Sequence, residues 1–496
     1  MKRVQVRNLR ALRAMVEKGE WRDALAFDAV NDVAALDERA LPLALTAALE
    51  LGEDATVARL IDDALRLPAT PETKLEMARR LINWRRSDDG WRLLETVETC
   101  KNEGQLAALC HRVSLKTSEP AVRAAAKAKF QGLVGTRAPD ENQPEDALGP
   151  QANLAEFEFP PPSPAGAPDP TFSMRIDRNA EVAPEHVDEF ARLMKKFEAR
   201  LALRLQPSVH RFDNVLVNRL GQIWRPDGEI IVSKNRPLLR REPKPDMPRF
   251  KRAALNTNGT RGFYHWYAER APALAWHIAA GADVVTLFGD HAARFQDETM
   301  SLLGFGPQDF ARIGDVAHCE TVYVAQLELS CLADWPRFAC VYDTLGANAE
   351  RDGRAASDAD GESPFIYISR RDTDRRRMLN EEELETRLAA LGVRSVLLGQ
   401  LPLAEQIRLV RRARVIIGGH GAGLTHLLNA KAGAKVLEIM PTQPGFHSIR
   451  FNFTRLSRLR GHRHTLLLEP FNAVARTWRA DVDRVCAAAE RLITTS

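Results

Sequence analysis

The amino-acid sequence predicts an α/β protein in which a doubly wound parallel sheet follows an all-α, helical-repeat-like domain. Three observations lead to this fold class. Residues 1–135 repeat their apolar positions at helical spacing, residues 136–170 are rich in proline, and from residue 171 short β-type runs alternate with helical segments. A chain of 496 residues is long enough for about two to four domains.

Residues 1–135 are predicted to be helical throughout, because apolar residues recur three and four positions apart and β-branched runs are few. A weak internal repetition supports a helical-repeat-like domain. Turn-like segments begin at Gly19, Gly52, Asp89 and Ser118, 29 to 37 residues apart, which is close to the range of helix-pair solenoids. No polar constellation converges in this region, so we interpret it as a docking module for a protein substrate, a partner enzyme or a second subunit.

Residues 136–170 are predicted to be a linker. They contain nine prolines, and seven acidic residues against one basic residue. A segment of this composition buries too little apolar surface to fold, and its prolines stiffen it.

Residues 171–345 are predicted to form the first half of the α/β region. Residues 214–233 have the pattern of a β-meander with a turn at Pro226-Asp227-Gly228, and a helix is expected near 264–280. Further elements are expected as a strand at 283–288, a helix at 291–303 and a strand at 321–327. Residues 346–363 are predicted to be a polar loop.

Residues 364–472 show the clearest alternation of strands and helices, which predicts a parallel sheet. One helix in this half is expected to begin with Asn380 as its N-cap and Glu383 reaching back to it. Residues 473–496 are predicted to be a C-terminal helix that packs back across the other half.

Composition narrows the function classes. The net charge of +4 requires no nucleic-acid partner, and the six scattered cysteines form no CxxC pair, which favours free thiols in a reducing compartment. The first residues lack the apolar run of a secretory signal, and no stretch approaches the ~20 apolar residues of a membrane span. These features predict a cytoplasmic protein, or one that is peripheral at the inner face of the cell membrane.

The most informative motif is the run IIGGHGAGLTHLL, in which Gly419, His420, Gly421 and Gly423 lie between a predicted strand and a predicted helix. Ligands of doubly wound sheets bind beyond the carboxyl ends of strands, and glycines there allow a phosphate to approach the backbone. The spacing fits neither a dinucleotide fingerprint nor a Walker loop. A tight turn that requires positive φ would explain the glycines equally well.

Two further loops follow predicted strands. Arg370, Arg371 and Arg375 belong to a run of five arginines after FIYIS, and guanidinium groups suit a diphosphate. A solvated charge run is the alternative for these arginines. Glu438 ends the strand KVLEIMP, where a carboxylate can accept hydrogen bonds from the ribose hydroxyls of a nucleotide; the alternative is an exposed edge residue.

A histidine and a carboxylate share one face of the predicted helix FYHWYAE. His265 and Glu269 are four residues apart, so Glu269 can orient His265 as a general base. A purely structural pair is the alternative. The sequence Asp358-Ala359-Asp360 resembles a DxD metal motif, but it lies in a polar loop rather than after an apolar strand, so no metal site is predicted.

These motifs together resemble glycosyltransferase family 61. The resemblance rests on YISRRDTDRRRMLNEEEL, on AEQIRLVRRARVIIGGHGAGLTHLLNAKAGAKVLEIMP and on the upstream helix FYHWYAERAPAL. It covers about residues 205 to 445 and leaves the helical region and the proline-rich linker outside. One departure is His426, which stands where many members of the family have Asn.

The resemblance implies a GT-B-like pair of Rossmann-like halves and inverting transfer from a UDP-sugar, without a bound metal or other cofactor. By motif, it assigns donor binding to Arg370, Arg371, His420, Gly421, Gly423 and Glu438, and it favours His265 and Glu269 as the catalytic pair. The implied partners are a nucleotide-sugar donor and a glycan, lipid-linked or protein acceptor. The alternatives are a nucleotide-sugar hydrolase, and a degenerate transferase that acts as a helical scaffold.

Overall fold

The computed structural model describes residues 2–67, 69–134, 172–203, 208–234, 237–238, 245–257, 262–275, 284–290, 293–326, 335–353, 363–373, 375–442, 451–472 and 476–495. The predicted linker at 136–170 and the sequence Asp358-Ala359-Asp360 lie outside these residues. Among the described residues, no helix is long and apolar enough to cross a membrane.

The N-terminal region is all helical, as predicted. Its α-helices are Lys2–Lys18, Trp21–Asn31, Val33–Leu36, Leu41–Leu51, Asp54–Arg66, Pro71–Asn83, Ser87–Glu95, Glu103–Lys116 and Pro120–Val134. Gly19, Gly52 and Arg85 each lie between two consecutive helices in the left-handed conformation, so 33 residues separate each of these turns from the next. Successive helices pack around one apolar core of their own.

The strands of the remaining chain are β1 (Ser173–Arg178), β2 (Ser208–Val217), β3 (Ile223–Trp224), β4 (Ile230–Val232), β5 (Arg249–Leu255), β6 (Val285–Gly289), β7 (Phe310–Ile313), β8 (Ala317–Gln326), β9 (Phe365–Ile368), β10 (Arg377–Met378), β11 (Arg394–Val396), β12 (Val415–Gly419), β13 (Lys435–Thr442), β14 (Arg463–Asn472) and β15 (Thr477–Trp478). The α-helices are Glu185–Leu201, Phe263–Glu269, Arg294–Leu302, Trp335–Gly353, Glu381–Ala389, Leu403–Arg412, Asn452–Arg460 and Val482–Thr494.

The first sheet has the order β4-β3-β2-β8-β5-β6-β7. Strands β2, β3 and β4 pair antiparallel, which confirms the predicted β-meander, and β5, β6, β7 and β8 pair parallel where they adjoin. Strand β8 is antiparallel to β2, so it joins the meander to the parallel part.

The second sheet contains the run β11-β9-β12-β13-β14, in which all strands are parallel. Beyond β14 the sheet continues with β15, which is antiparallel to β14, and then with β10. Numbered along the chain, the parallel run has the doubly wound order 2-1-3-4-5, in which the strand order reverses between β9 and β12. Strand β1 also pairs parallel with β14, so this segment of the predicted first half contributes to the second sheet. The reversal between β9 and β12 is where a doubly wound sheet binds its ligand.

Three local predictions differ from the structure. Asn380 does not cap its helix; instead its side-chain amide pairs with the backbone N–H and carbonyl of Ala480, at 3.0 and 2.9 Å. Residues 346–353 continue the helix Trp335–Gly353 rather than a loop, because Leu345 and Ala349 are buried one turn apart. The C-terminal helix begins at Val482 and packs on β12, β13 and the helix Glu381–Ala389, in the same half as the strands that precede it.

The two sheets share one continuous apolar core. At its centre Tyr267 donates a hydrogen bond to Asn429 Oδ1 at 3.0 Å, and Tyr342 donates to the carbonyl of Tyr267 at 2.5 Å. Tyr267 and Tyr342 are fully buried, and Asn429 lies just beyond the glycine-rich loop. The helix Phe263–Glu269 of the first half is therefore held directly against that loop of the second half.

Candidate functional site

The glycine-rich loop and the arginine-rich loop meet at the reversal point of the second sheet. Strand β9 pairs with β12 so that Ile368 lies opposite Gly418. Arg370 follows the end of β9, and Gly419, His420 and Gly421 lie at and just beyond the end of β12. The backbone pairing alone therefore brings together two loops that the sequence predicted as one site.

The side chain of Arg370 explains why two of these positions are glycine. A Cβ at Gly421 would overlap Arg370 Nη1 and lie 2.7 Å from Arg370 Cζ, and a Cβ at Gly419 would lie 3.1 Å from Arg370 Cδ. Neither glycine has a positive φ, so a turn conformation is not the reason for them. Gly419 and Gly421 are therefore glycine because Arg370 approaches them closely. The tight turn, which the sequence left open as an explanation, is not the reason.

A cavity of about 300 Å³ opens where these loops meet. The second half lines it with Ile368, Ser369, Arg370, Asp372, Thr373, Leu398, Gly399, Leu401, Gln406, Gly419, Gly421, Ala422, Gly423, Leu424 and His426, and the first half with Phe263, Arg294, Phe295 and Glu298. Its size and its mixture of aromatic, aliphatic and a few charged groups are typical of a small-molecule site.

Arg370 is the cation at the inner wall of this cavity. Its Nη2 donates to the carbonyl of Arg375 at 2.6 Å, and its backbone N–H donates to Glu381 Oε1 at 2.7 Å. Burial lowers the pKa of its guanidinium, which stays charged at neutral pH. Among the described residues no carboxylate lies within ion-pair distance of Arg370, whereas Arg294 at the outer wall pairs with Glu298 at 2.9 Å.

The other predicted arginines are placed differently. Arg371 points to the helix Glu381–Ala389 and forms an ion pair with Glu385 at 3.0 Å. Arg375 is exposed and offers its carbonyl, rather than its side chain, to Arg370. Neither lines the cavity, so the structure brings only Arg370 of these three to its wall.

His420 turns away from the cavity that its neighbouring glycines line. Its Nδ1 lies 2.6 Å from Glu438 Oε1, and the other carboxylate oxygen of Glu438 lies 3.0 Å from His464 Nε2. Ser457 Oγ pairs with His464 Nδ1 at 2.8 Å. The sequence assigned His420 to a phosphate and Glu438 to ribose hydroxyls; the geometry instead makes Glu438, at 0% exposure, the partner of two histidines.

The ionised form of Glu438 is the one that this arrangement favours. Burial alone would raise the pKa of its carboxyl, but hydrogen bonds from His420 and His464 outweigh burial and lower it. The carboxylate therefore fixes Nδ1–H of His420 as the donor and sets the orientation of the ring.

Replacing Glu438 with Gln is expected to lower the free energy of unfolding by about 3 kcal/mol, because the amide cannot accept hydrogen bonds from both His420 and His464 and leaves a buried N–H unpaired. Chemical denaturation at pH 7 measures this change. Glu381→Gln is the matched control, since a glutamine carbonyl can still accept from Tyr367 and from the Arg370 N–H. Equal stabilities of the Glu438 variant and the unsubstituted protein would contradict the proposed ionised network.

The predicted catalytic pair is formed. His265 Nδ1 lies 2.9 Å from Glu269 Oε2, and their side chains are 44% and 30% exposed, so both are accessible to a substrate. The hydrogen bond to Glu269 raises the pKa of His265. Neither residue lines the cavity; a series of ring contacts runs from His265 through Tyr264 and Phe453 to His420, at 5.4, 5.7 and 4.9 Å.

The aromatic wall of the cavity was not predicted from the sequence. Phe263 packs against Phe295 and against the ring of His426, with ring centroids 5.2 and 4.8 Å apart. His426 Nε2 donates to Gln406 Oε1 at 2.8 Å, and Asn429 donates to His426 Nδ1 at 3.1 Å. Burial lowers the pKa of His426 to about 3, so the ring is neutral. The sequence drew attention to His426 only because many members of the family have Asn there. The place of His426 in the cavity wall depends on contacts with residues distant in sequence, which the sequence alone does not show.

Among the described residues, no group of three or more His, Cys, Asp or Glu side chains is arranged to hold a metal ion. The charged groups that the structure brings to the cavity are arginines and two carboxylates.

Comparison with known proteins gives one family and several partial relatives. Residues 263–437 match the model of the family described as Glycosyltransferase 61. A segment of 104 residues is 38% identical to the EGF domain-specific O-linked N-acetylglucosamine transferase of Drosophila melanogaster, over 20% of this chain and 19% of that protein. A segment of 80 residues is 35% identical to the Beta-1,2-xylosyltransferase of Arabidopsis thaliana, over 14% of this chain and 15% of that protein. The chain thus spans less than a fifth of the length of these relatives.

Proposed function

We propose that this chain, which carries a glycosyltransferase 61 domain at residues 263–437, transfers a sugar from a nucleotide-sugar donor to a hydroxyl group. The observation that carries the proposal is the cavity at the reversal point of the second sheet, where Arg370 lies across Gly419 and Gly421. A cationic group beside glycine backbone at that point suits a diphosphate. We take the arrangement of the two sheets as GT-B-like.

The donor in this proposal is a UDP-sugar that occupies the cavity. The planar base lies against the apolar and aromatic surface of Phe263, Phe295 and Leu398, since ring faces stack on one another. The diphosphate lies towards Arg370 and Gly421. Of the predicted donor contacts, Arg370, Gly419, Gly421 and Gly423 keep that role here. His420 and Glu438 instead pair with each other behind the glycine-rich loop and hold its end in place.

The proposed reaction is an inverting single displacement that needs no metal. An acceptor hydroxyl attacks the anomeric carbon, and its proton passes to Nε2 of His265 while Glu269 holds Nδ1–H. The bond from the anomeric carbon to the diphosphate oxygen breaks, and Arg370 stabilises the charge that develops on the leaving group. The electron pair of the broken bond remains with the nucleoside diphosphate.

The acceptor in this proposal is a glycan, lipid-linked or protein hydroxyl. The relatives' names include transfer to EGF domains and xylosyl transfer, which supports a hydroxyl acceptor on a glycoprotein or glycan in general terms. The N-terminal helices form an apolar core separate from that of the two sheets, and we propose that they dock the acceptor or a partner protein.

Thermal denaturation in the presence of UDP, GDP or CMP tests the donor site. A nucleotide at 100 times its dissociation constant should add about 2.7 kcal/mol to the free energy of unfolding. EDTA should not reduce that stabilisation. If none of the three nucleotides stabilises the protein, the proposed donor site is refuted.

Replacing His265 with Gln separates the base from the donor contacts. Donor binding should be unchanged, while turnover should fall about 100- to 10,000-fold, because one proton acceptor is lost. In the unsubstituted enzyme the rate should rise with pH through the pKa of His265, since only the neutral ring accepts a proton. Hydrolysis of the donor by the unsubstituted protein, with no sugar transfer to an acceptor hydroxyl, would instead identify a nucleotide-sugar hydrolase.

A further inference from the structure

The helix Lys2–Lys18 carries a row of arginines on its exposed side. Arg7, Arg10 and Arg13 follow one another at intervals of three residues, and all three side chains are exposed. The opposite side of the helix, which includes Leu12, is buried in the apolar core of the N-terminal region. The three arginines therefore face away from the region to which the helix belongs, and we refer to them as the basic face.

The basic face has no acidic partner in the part of the chain that the structure describes. Its guanidinium groups form no ion pair there, whereas Arg59 and Arg86 in later helices of the same region pair with Asp63 and Asp89 at 3.1 and 2.6 Å. The sequence also lacks a nearby acid, since residues 1–16 contain five basic residues and none that is acidic. The basic face is therefore an uncompensated positive surface.

The helix gains no stability from the charges of the basic face. The peptide dipoles of a helix place partial positive charge at its amino end, which favours acids there, yet the first turn contains none. Like charges three or four residues apart on a helix also repel one another. A solvated helix face usually alternates positive and negative residues, so solvation alone does not account for a face of one sign. An anion outside the chain would supply the missing charge.

Exposed apolar side chains accompany the basic face. Val6 is exposed one turn before Arg10, on the same side of the helix, and Val4 is exposed beside it. Val30 and Leu36 are exposed in the next two helices. The described residues include seven strongly exposed large hydrophobic side chains, and these four belong to the first three helices. Apolar side chains are thus concentrated around the basic face.

This combination fits the surface of an anionic bilayer. Guanidinium groups there bind lipid phosphates, and apolar side chains beside them enter the boundary between headgroups and acyl chains. None of the strongly exposed apolar residues that the structure describes is aromatic. Their absence from this set disfavours single-stranded nucleic acid, because its bases stack on aromatic rings.

The same helix is attached to the edge of the second sheet that holds the cavity. Asn472 Nδ2 donates a hydrogen bond to the carbonyl of Glu17 at 2.9 Å. Gly419, Ile439 and Leu467 are in register across the parallel strands β12, β13 and β14. Asn472 lies five residues beyond Leu467 at the end of β14, which is a distance of about 16 Å along the strand. The helix that carries the basic face is therefore linked directly to the edge at which the glycine-rich loop lies.

We propose that the basic face binds the phosphate groups of anionic phospholipids at a bilayer surface. The exposed valines enter the boundary between headgroups and acyl chains, and the helix holds the cavity edge of the second sheet close to the membrane. Resting on the proposed function, the acceptor is then the lipid-linked one of the three classes proposed above, because a lipid anchor keeps its hydroxyl group at that surface.

Co-sedimentation of the full chain with lipid vesicles tests the proposal. Vesicles of phosphatidylcholine mixed with an equal amount of phosphatidylglycerol should bind the protein, and vesicles of phosphatidylcholine alone should not. The triple variant Arg7→Gln, Arg10→Gln and Arg13→Gln should bind the anionic vesicles about 100-fold more weakly, since each arginine at such a surface contributes about 5-fold. Val6→Ser should weaken the binding that remains at high salt, where the charges are screened.

The triple variant Arg59→Gln, Arg66→Gln and Arg92→Gln is the matched control. These are exposed arginines of the same region that pair with acids, so their replacement removes the same total charge. The control should bind anionic vesicles nearly as the unsubstituted protein does. Equal losses in the two triple variants would mean that only the total charge matters, and would overturn the basic face.

Thermal denaturation without vesicles checks the fold of these variants. The melting temperature of the basic-face variant should match that of the unsubstituted protein, because exposed substitutions leave the apolar core unchanged. The single variant Arg10→Gln, with an expected loss of about 5-fold, gives the same test with one change.

Two further results would overturn the proposal. One is equally strong binding to vesicles of phosphatidylcholine alone. The other is binding to soluble polyglutamate without binding to anionic vesicles, which would assign the basic face to an acidic protein. Vesicle binding that depends on Arg7, Arg10 and Arg13, together with no binding of any nucleotide, would support the basic face and refute the proposed function.

Discussion

Replacing Gly421 with Ala is expected to weaken binding of UDP by about 100-fold while leaving the fold nearly as stable as before. The added methyl group would overlap Arg370 Nη1, so the guanidinium must leave the wall of the cavity. The clash is with the end of a flexible side chain, and φ at Gly421 is −177°, which alanine also adopts. Loss of a charge-assisted hydrogen bond costs about 1.5 to 3 kcal/mol, which corresponds to the expected change in affinity.

A comparison of Gly421→Ala with Arg370→Gln shows whether the weaker binding of UDP is caused by displacement of Arg370. The double variant should bind UDP no more weakly than Arg370→Gln alone, because the methyl group then has no guanidinium to displace. Gly132→Ala is the control: Gly132 lies in the helix Pro120–Val134 with no atom within 4 Å of an added Cβ. Additive losses from the two substitutions would mean that Gly421 contacts the nucleotide independently of Arg370.

Two buried histidines should make the protein sensitive to acid above pH 4. Burial lowers the pKa of His426 to about 3 and that of His462 to about 4, and an unfolded histidine has a pKa near 6.5. Between those values the unfolded chain binds more protons than the folded one, so stability falls as pH falls. The two side chains together should remove about 2.5 kcal/mol between pH 6 and pH 5.

Chemical denaturation of His426→Asn, His462→Gln and the double variant at several pH values measures these contributions. The slope of the free energy of unfolding against pH gives the number of protons that the chain takes up when it unfolds. Each substitution should lower that number by about one relative to the unsubstituted protein. The test is this difference, because other groups titrate in the same range. Glu50, whose pKa burial raises to about 7, acts in the opposite direction. Identical pH dependences in all four proteins would contradict the neutral, buried state of both histidines.

Predictions of secondary structure succeeded where the residues that determine an element lie within that element's own segment of sequence. The β-meander and the parallel alternation after residue 364 follow from side-chain periodicity. The capping role predicted for Asn380 did not hold, because its amide reaches Ala480, one hundred residues further along the chain. Residues 346–353, predicted to be a loop, are helical because Leu345 and Ala349 are buried in the core. The many polar residues around them led to the prediction of a loop.

The sequence by itself determined the helical N-terminal region, the parallel sheet, the resemblance to family 61 that the match over residues 263–437 repeats, and the two loops that meet at the reversal point of the sheet. Motif spacing suffices for these features because periodicity and strand ends are local properties. Only the tertiary structure decided what each side chain faces. Parallel pairing of β9 with β12 aims Arg370 across Gly421, and the neighbouring strands β13 and β14 turn His420 to Glu438 and His464. Whether a charged residue meets a ligand, an ion-pair partner or another buried group depends on contacts between distant segments.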